Sequence, residues 1–101
     1  MEIEIKTSSQ FDQEVKEGKV LVDFYATWCG PCKMLSPLVE KLSSQHPEIK
    51  VLKVDVDEVS DLAQRFQVYS IPTLLLFENG EQTKKSLGFI PEPKLNEFAG
   101  V

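Results

Sequence analysis

Cys29 and Cys32, the two cysteines of this chain, are separated by two residues and lie where the sequence pattern changes. Residues 20–25 form an apolar run typical of a strand, and apolar residues from 34 to 42 recur at helical spacing. A Cys-x-x-Cys pair at a strand-to-helix junction predicts a dithiol–disulfide redox site. The unpaired N–H groups of a helix N-terminus carry partial positive charge, which favours the thiolate, the form of cysteine that attacks disulfides.

The positions of the two sulfur atoms predict different roles. Cys29 precedes the helix and is flanked by Trp28, so we expect an exposed nucleophile, whereas Cys32 lies in the first turn and is expected to be a buried resolving thiol. Cys32 would then break a mixed disulfide between Cys29 and a substrate cysteine. The alternatives are two unreactive structural cysteines or half of a zinc site. Zinc needs four ligands, and His46, the single histidine, lies at the far end of the predicted helix.

Asp23 places a carboxylate inside the apolar run of residues 20–25. A buried, unpaired charge is costly, so such a residue usually has a function. One interpretation is a strand position that reaches solvent. We favour the other, a proton acceptor behind the dithiol. Cys32 must lose its proton as it attacks, and a buried carboxylate with a raised pKa can take that proton directly or through a water molecule.

The rest of the chain predicts the elements that position these residues. Ser8 and Ser9 are candidate N-caps of a first helix, and Met34 is expected in the core because it follows the helical spacing. The predicted strands are 3–5, 20–25, 49–56, 73–77 and 82–87, and the predicted helices are 8–17, 31–45, 59–66 and 93–99. This alternation, with an Asn79-Gly80 hairpin turn, predicts an α/β fold with a central mixed sheet of about five strands and about four flanking helices.

Length and composition indicate a single domain over residues 1–101. The net charge is −5 and lysine and arginine form no stripe, so a nucleic-acid partner is not expected. No apolar run approaches the ~20 residues that cross a membrane, and the first residues lack the features of a secretory signal. Two cysteines do not make a secreted disulfide framework, so we expect a reducing compartment, the cytoplasm. An organelle reached after removal of a transit peptide stays open.

The chain closely resembles the thioredoxin family. The motifs that carry the resemblance are Trp28-Cys29-Gly30-Pro31-Cys32-Lys33, preceded by Val22-Asp23-Phe24 and followed by Ile71-Pro72-Thr73 and Asn79-Gly80. The resemblance extends over essentially the full length, and it implies the thioredoxin fold and a general protein disulfide reductase. Gly30-Pro31 resembles the reductase branch, because the oxidising and isomerising branches usually carry a histidine whose charge stabilises the thiolate. One departure is Tyr25, at a position where tryptophan is common.

The resemblance also implies roles for residues away from the cysteines. Asp23 matches the family's proton acceptor and Lys53 the lysine beside it; the alternative for Lys53 is a solvated strand residue. Pro72 matches a cis proline that faces the dithiol, although an arbitrary X–Pro bond is usually trans. The Ile71 backbone would pair with an extended substrate segment. The implied docking patch is flat and mainly apolar, and consists of Trp28, Gly30, Pro31, Ile71, Pro72, Gly88 and Phe89.

The resemblance implies a monomer with no bound cofactor and no metal. Its partners would be disulfide-containing substrate proteins and a thioredoxin reductase, whose electrons come ultimately from NADPH or ferredoxin. A competing hypothesis is a binding module that uses Trp28, Ile71 and Pro72 to hold a partner without turnover, but such modules usually lose a cysteine. A thiol oxidase or isomerase is disfavoured by Gly30-Pro31 and by the lack of a signal peptide.

Overall fold

The computed structural model describes residues 1–101 and contains five strands and four helices. In chain order these are β1 (Glu2–Glu4), α1 (Ser8–Glu14), β2 (Lys19–Tyr25), α2 (Gly30–Gln45), β3 (Lys50–Asp55), α3 (Ser60–Arg65), β4 (Thr73–Glu78), β5 (Glu81–Leu87) and α4 (Glu92–Ala99). The type and order of all these elements agree with the sequence, so the predicted α/β fold is confirmed.

One mixed sheet holds the five strands in the order β1-β3-β2-β4-β5. β2 lies at its centre, parallel to β3 and antiparallel to β4. Val20 and Leu21 of β2 are fully buried, as expected of a strand covered on both faces. Because β2 and β3 run parallel, their last residues, Tyr25 and Asp55, lie side by side at one end of the sheet. The dithiol follows directly after this end of β2.

Side chains of β2 alternate between two hydrophobic cores. On one face, Phe24 belongs to a core with Phe11 of α1 and Phe66. The ring centroids of Phe11 and Phe66 are 5.3 Å apart. On the other face, Leu21 packs with Leu35 of α2 and with residues of α4. Asp23 is two residues after Leu21, so its side chain lies on the same face of the sheet as that of Leu21. Its carboxylate is therefore on the side of α2, the helix that begins with the cysteines.

The N-cap of α1 differs from the prediction. Thr7, rather than Ser8 or Ser9, is the cap, because its Oγ1 accepts a hydrogen bond from the N–H of Gln10 at 3.1 Å. Ser8 lies inside the helix, and its hydroxyl donates instead to the carboxylate of Asp61 at 2.6 Å. The first turn is thus held one residue earlier than expected.

The helix also ends at Glu14 rather than at residue 17. Gly18 takes a left-handed φ of 75°, which breaks the helical path. Its N–H donates to Oδ1 of Asn79 at 2.9 Å, and its carbonyl accepts from the N–H of Asn79 at 3.0 Å. This pair of bonds attaches the end of α1 to the turn between β4 and β5.

Met34 is exposed over 62% of its surface, so its predicted place in the core is wrong. The buried stripe of α2 passes through Leu35, Val39 and Leu42. Successive residues of a helix are about 100° apart, so Met34 is rotated off this stripe. Met34 is spaced from Leu38 as residues on one helix face are, but spacing alone does not show which face of the helix packs against the sheet.

Candidate active site

A disulfide joins Cys29 to Cys32 at the start of α2, with their Cα atoms 5.3 Å apart. Cys29 is the N-cap of the helix, and its Sγ accepts a hydrogen bond from the N–H of Cys32 at 3.2 Å. Pro31 lies in the first turn, where its missing N–H is no loss. The predicted placement of one sulfur before the helix and one in its first turn is confirmed. The helix dipole and the Cys32 N–H are the groups that stabilise negative charge on Cys29.

Both cysteines are buried in the disulfide form, with 5% of Cys29 and 6% of Cys32 exposed. The predicted contrast between an exposed and a buried cysteine is therefore wrong for this form. Tyr25, Val56 and Ile71 pack against the pair and cover it. The two sulfur atoms differ in their surroundings instead. Cys29 Sγ faces the carbonyl oxygen of Ile71 at 3.8 Å, whereas Cys32 lines an open cleft.

The loop before β4 brings Ile71 to the dithiol. The Ile71–Pro72 peptide bond is cis, which confirms the expectation from the family resemblance. Two hydrogen bonds hold the loop in place: the hydroxyl of Thr73 donates to the carbonyl of Ser70 at 2.6 Å, and the N–H of Gly88 donates to the carbonyl of Pro72 at 2.8 Å. The loop is thereby tied both to its own start and to the end of β5.

Trp28 lies on the surface beside the disulfide, with 69% of its surface exposed, so the alternative of a core aromatic is wrong. Its indole Nε1 donates a hydrogen bond to Oδ2 of Asp57 at 2.9 Å. Asp57 was not among the predicted site residues. The sequence does carry a signal for it, the acidic segment that follows β3. Because β2 and β3 are parallel, the segments that follow them, which contain Trp28 and Asp57, meet at the same end of the sheet. Asp55 shapes that segment by accepting the N–H of Asp57 at 2.9 Å.

The other members of the predicted docking patch surround the same end of the sheet but differ in exposure. Gly30, Pro31 and Phe89 are exposed, Ile71 and Gly88 are half-buried, and Pro72 is buried. Pro72 therefore adds little surface, and its contact with Gly88 runs through its backbone carbonyl.

Asp23 is 2% exposed and lies on the face of the sheet that α2 covers. Its Oδ2 is 3.2 Å from Nζ of Lys53, its register partner on β3. Lys53 is thus a largely buried ion-pair partner, and the alternative of a solvated strand residue is wrong. Burial raises the pKa of Asp23 above its ordinary value, an effect that the Lys53 ammonium offsets only in part. Oδ1 has no hydrogen-bond partner in the protein, so it is the oxygen free to take a proton.

An open cleft of about 460 Å³ borders both Cys32 and Lys53. Its walls come from β1, β2, β3 and α2, and include Glu2, Glu4, Tyr25, Lys33 and Ser36. The Lys53 ammonium bridges the buried carboxylate and the cleft, because Nζ also donates to Oγ of Ser36 at 3.4 Å. Solvent thus reaches the neighbourhood of Cys32 and of the ion pair. No local motif marks this cleft in the sequence.

The chain has no cluster of three or more histidine, cysteine, aspartate or glutamate side chains placed to hold a metal ion. None of its helices combines the length and the apolar character needed to cross a membrane.

Comparison with known proteins gives one consistent family. The family model described as Thioredoxin matches residues 2–100. Thioredoxin-1 of Saccharomyces cerevisiae is 51% identical over 92 residues, which cover 90% of this chain and 89% of that protein. A thioredoxin of Staphylococcus haemolyticus is 48% identical over 92 residues, covering 90% and 88% of the two chains.

Solved structures similar to this chain belong to the same family. The oxidised form of mitochondrial thioredoxin 3 from Saccharomyces cerevisiae has a TM-score of 0.88 at 34% identity, covering 97% of this chain and 93% of that one. The thioredoxin of Plasmodium falciparum has a TM-score of 0.90 at 33% identity, covering 96% and 95%.

Proposed function

This chain belongs to the thioredoxin family of disulfide oxidoreductases, and we propose that it reduces protein disulfides with Cys29 as the attacking thiol and Cys32 as the resolving thiol. The observation that carries the assignment is the hydrogen bond from the Cys32 N–H to Cys29 Sγ at the start of α2. This bond and the helix dipole favour the thiolate at Cys29 and do not act in the same way on Cys32.

In the first step, the Cys29 thiolate attacks one sulfur of a substrate disulfide. A bond forms between Cys29 Sγ and that sulfur, the substrate S–S bond breaks, and the second substrate sulfur leaves as a thiolate that takes a proton from water. The docking patch around Trp28 and Phe89 holds the substrate, and the Ile71 backbone pairs with an extended segment of it. Exposed aromatic surface beside the dithiol supports this role.

In the second step, Cys32 loses its proton to Asp23, directly or through a water molecule, and attacks Cys29 Sγ. The mixed disulfide breaks, the remaining substrate sulfur leaves as a thiolate and is protonated, and the protein is left with its Cys29–Cys32 disulfide. Two electrons have then passed to the substrate. The raised pKa of Asp23 supports its role as acceptor, because a carboxylate of raised pKa binds a proton more readily at neutral pH. Lys53 supports the ionised form of Asp23 between turnovers.

The oxidised protein must be reduced again before the next cycle. The proposed donor is a thioredoxin reductase whose electrons come ultimately from NADPH or ferredoxin, so the chain acts as an electron carrier between that enzyme and its substrates. Residues 1–101 would act as one monomeric domain without a bound cofactor. The proposed compartment is the cytoplasm, or an organelle for which a transit peptide has been removed.

Reduction of insulin by dithiothreitol tests the proposal. The wild type is expected to accelerate the reaction, Cys29→Ser to abolish the acceleration, and Cys32→Ser to accumulate long-lived mixed disulfides with insulin. In reduced Cys32→Ser without substrate, Cys29 should react with iodoacetamide. His46→Gln, at the far end of α2, is the control and should retain full activity. Preferential alkylation of Cys32 in the reduced wild type would reverse the assigned roles. A wild type that binds substrate proteins without accelerating their reduction would leave only the binding-module hypothesis.

A further inference from the structure

Three charged side chains form one row across the sheet. Lys53 on β3 is the register partner of Asp23 on one side and of Glu4, on β1, on the other. Lys53 therefore lies between two acidic residues in register, and all three side chains project from the same face of the sheet. The structure is asymmetric: Lys53 forms an ion pair with Asp23 at 3.2 Å and none with Glu4.

Glu4 is bound by Tyr25 instead. The Tyr25 hydroxyl reaches across β3 and donates a hydrogen bond to Oε2 of Glu4 at 2.8 Å. Its ring lies over the Lys53 ammonium, with Nζ 4.8 Å from the ring centroid. Burial, together with the bond to Glu4, raises the pKa of Tyr25, so the phenol keeps its proton and remains a donor. Glu4 thus has a partner other than Lys53.

We propose that Tyr25 is a positioning residue: its hydroxyl engages Glu4 and thereby reserves the Lys53 ammonium for Asp23. The proposal rests on the assignment of Asp23 as the proton acceptor of the second step. Without the hydroxyl, Glu4 becomes free to pair with the lysine beside it. Asp23 then loses part of the positive charge that faces it, and its carboxylate forms only at higher pH.

Other titratable groups surround the row. They are the amino terminus and Glu2 on β1, Asp55 and Glu58 at and beyond the end of β3, and Lys33 and Glu40 on α2. β4 contributes only the uncharged Leu74, the register partner of Asp23. All these groups are the same in every variant below, so a comparison between variants isolates the hydroxyl of Tyr25 and the charge of Glu4.

The test uses Tyr25→Phe, Glu4→Gln and the double variant, all in the oxidised form, where the cysteines do not titrate. The Asp23 carboxyl is titrated by carbon-13 NMR. Tyr25→Phe removes one oxygen and keeps the ring, and its Asp23 midpoint should rise by about one pH unit, because the carboxylate loses part of its facing charge. Glu4→Gln should not raise the midpoint. The double variant should match Glu4→Gln, because glutamine cannot compete for the ammonium.

The kinetic readout is the pH profile of the second step, followed by stopped-flow release of a chromophoric thiol from a Cys29 mixed disulfide. Tyr25→Phe should shift this profile to higher pH by the same amount as the NMR midpoint. An unchanged Asp23 midpoint in Tyr25→Phe would overturn the proposal. So would a double variant that keeps the upward shift, since ring repacking would then be the cause.

Asp23→Asn separates this inference from the proposed function. If it leaves the rate and pH profile of the second step unchanged, Asp23 is not the proton acceptor. The NMR titration still decides whether Tyr25 reserves Lys53 for Asp23. If Asp23→Asn slows the step while Tyr25→Phe keeps the wild-type midpoint, the acceptor role stands and only the role of Tyr25 fails.

Discussion

Asp23 carries a carboxylate that its surroundings disfavour. Burial raises its pKa, and the Lys53 ammonium at 3.2 Å only partly reverses the effect. The folded-state pKa therefore lies above the unfolded value of about 3.9, so the folded protein binds this proton more tightly than the unfolded chain. By linkage, Asp23 makes no contribution below both pKa values. As pH rises from about 4 through the folded pKa, it progressively destabilises the fold, and above that pKa the penalty is constant.

Asp23→Asn should therefore gain stability relative to the wild type as pH rises. Asparagine keeps the size of the side chain and removes the charge, although it leaves Lys53 without its ion-pair partner. That pair exists only while Asp23 is ionised, so its effect is already contained in the folded-state pKa. The difference in unfolding free energy should favour the variant more at pH 8 than at pH 4. Urea denaturation at both pH values measures it, with the exposed Glu97→Gln as control. Parallel behaviour of Asp23→Asn and wild type at both pH values would contradict a raised pKa.

Trp28 depends on a single hydrogen bond for its orientation. Asp57→Ala removes the acceptor that lies 2.9 Å from the indole Nε1, whereas Asp57→Asn keeps an acceptor oxygen. Because the site is exposed, we expect the alanine variant to lose only about 0.5–1.5 kcal/mol of stability. Its Trp28 emission should become more accessible to acrylamide, and insulin reduction should slow several-fold. The asparagine variant should resemble the wild type in both measurements. Unchanged quenching in Asp57→Ala would show that the bond does not orient Trp28.

At the scale of elements, Thr7 and Ser9 give a matched pair of hydroxyl deletions at the start of α1. Thr7 caps the helix through its bond to the Gln10 N–H, whereas Ser9 is exposed inside the first turn. Thr7→Ala should lower stability by about 1 kcal/mol, and Ser9→Ala should change it much less. Neither should alter insulin reduction, because α1 lies on the face of the sheet away from Asp23. Thermal denaturation measures the two effects, and a larger loss for Ser9→Ala would contradict the observed cap.

The elements and the dithiol could be predicted because they depend on local sequence. Periodicity gives the order of helices and strands, and the two cysteines lie within one helical turn of each other. The N-cap could not be predicted, because Thr7-Ser8-Ser9 offers three hydroxyls in succession and tertiary contacts choose among them. Asp57 and Glu4 were not predicted either. Their partners, Trp28 and Tyr25, lie on a different part of the chain and meet them only through the order and register of the strands.

At the scale of the whole molecule, the position of each strand in the sheet predicts its resistance to opening. β2 is bonded on both sides and almost wholly buried, whereas β1 has three residues at one edge and β5 is mostly exposed at the other. Hydrogen exchange measured by mass spectrometry should find the slowest amides in β2, and faster exchange in β1 and β5. Equal protection of β5 and β2 would contradict a stability that is concentrated at the centre of the sheet.

The partners of the dithiol also come from separate parts of the chain: Asp23 precedes it, and Lys53 and Ile71 follow it. During synthesis on the ribosome, Cys29 and Cys32 are made before β3 and β4. A growing chain therefore carries two ordinary thiols, without the buried carboxylate, the facing ammonium or the loop carbonyl. Only when β3 and β4 join β2 does the pair acquire the surroundings of the active site. The special reactivity of the active-site pair is thus acquired only with the completed fold.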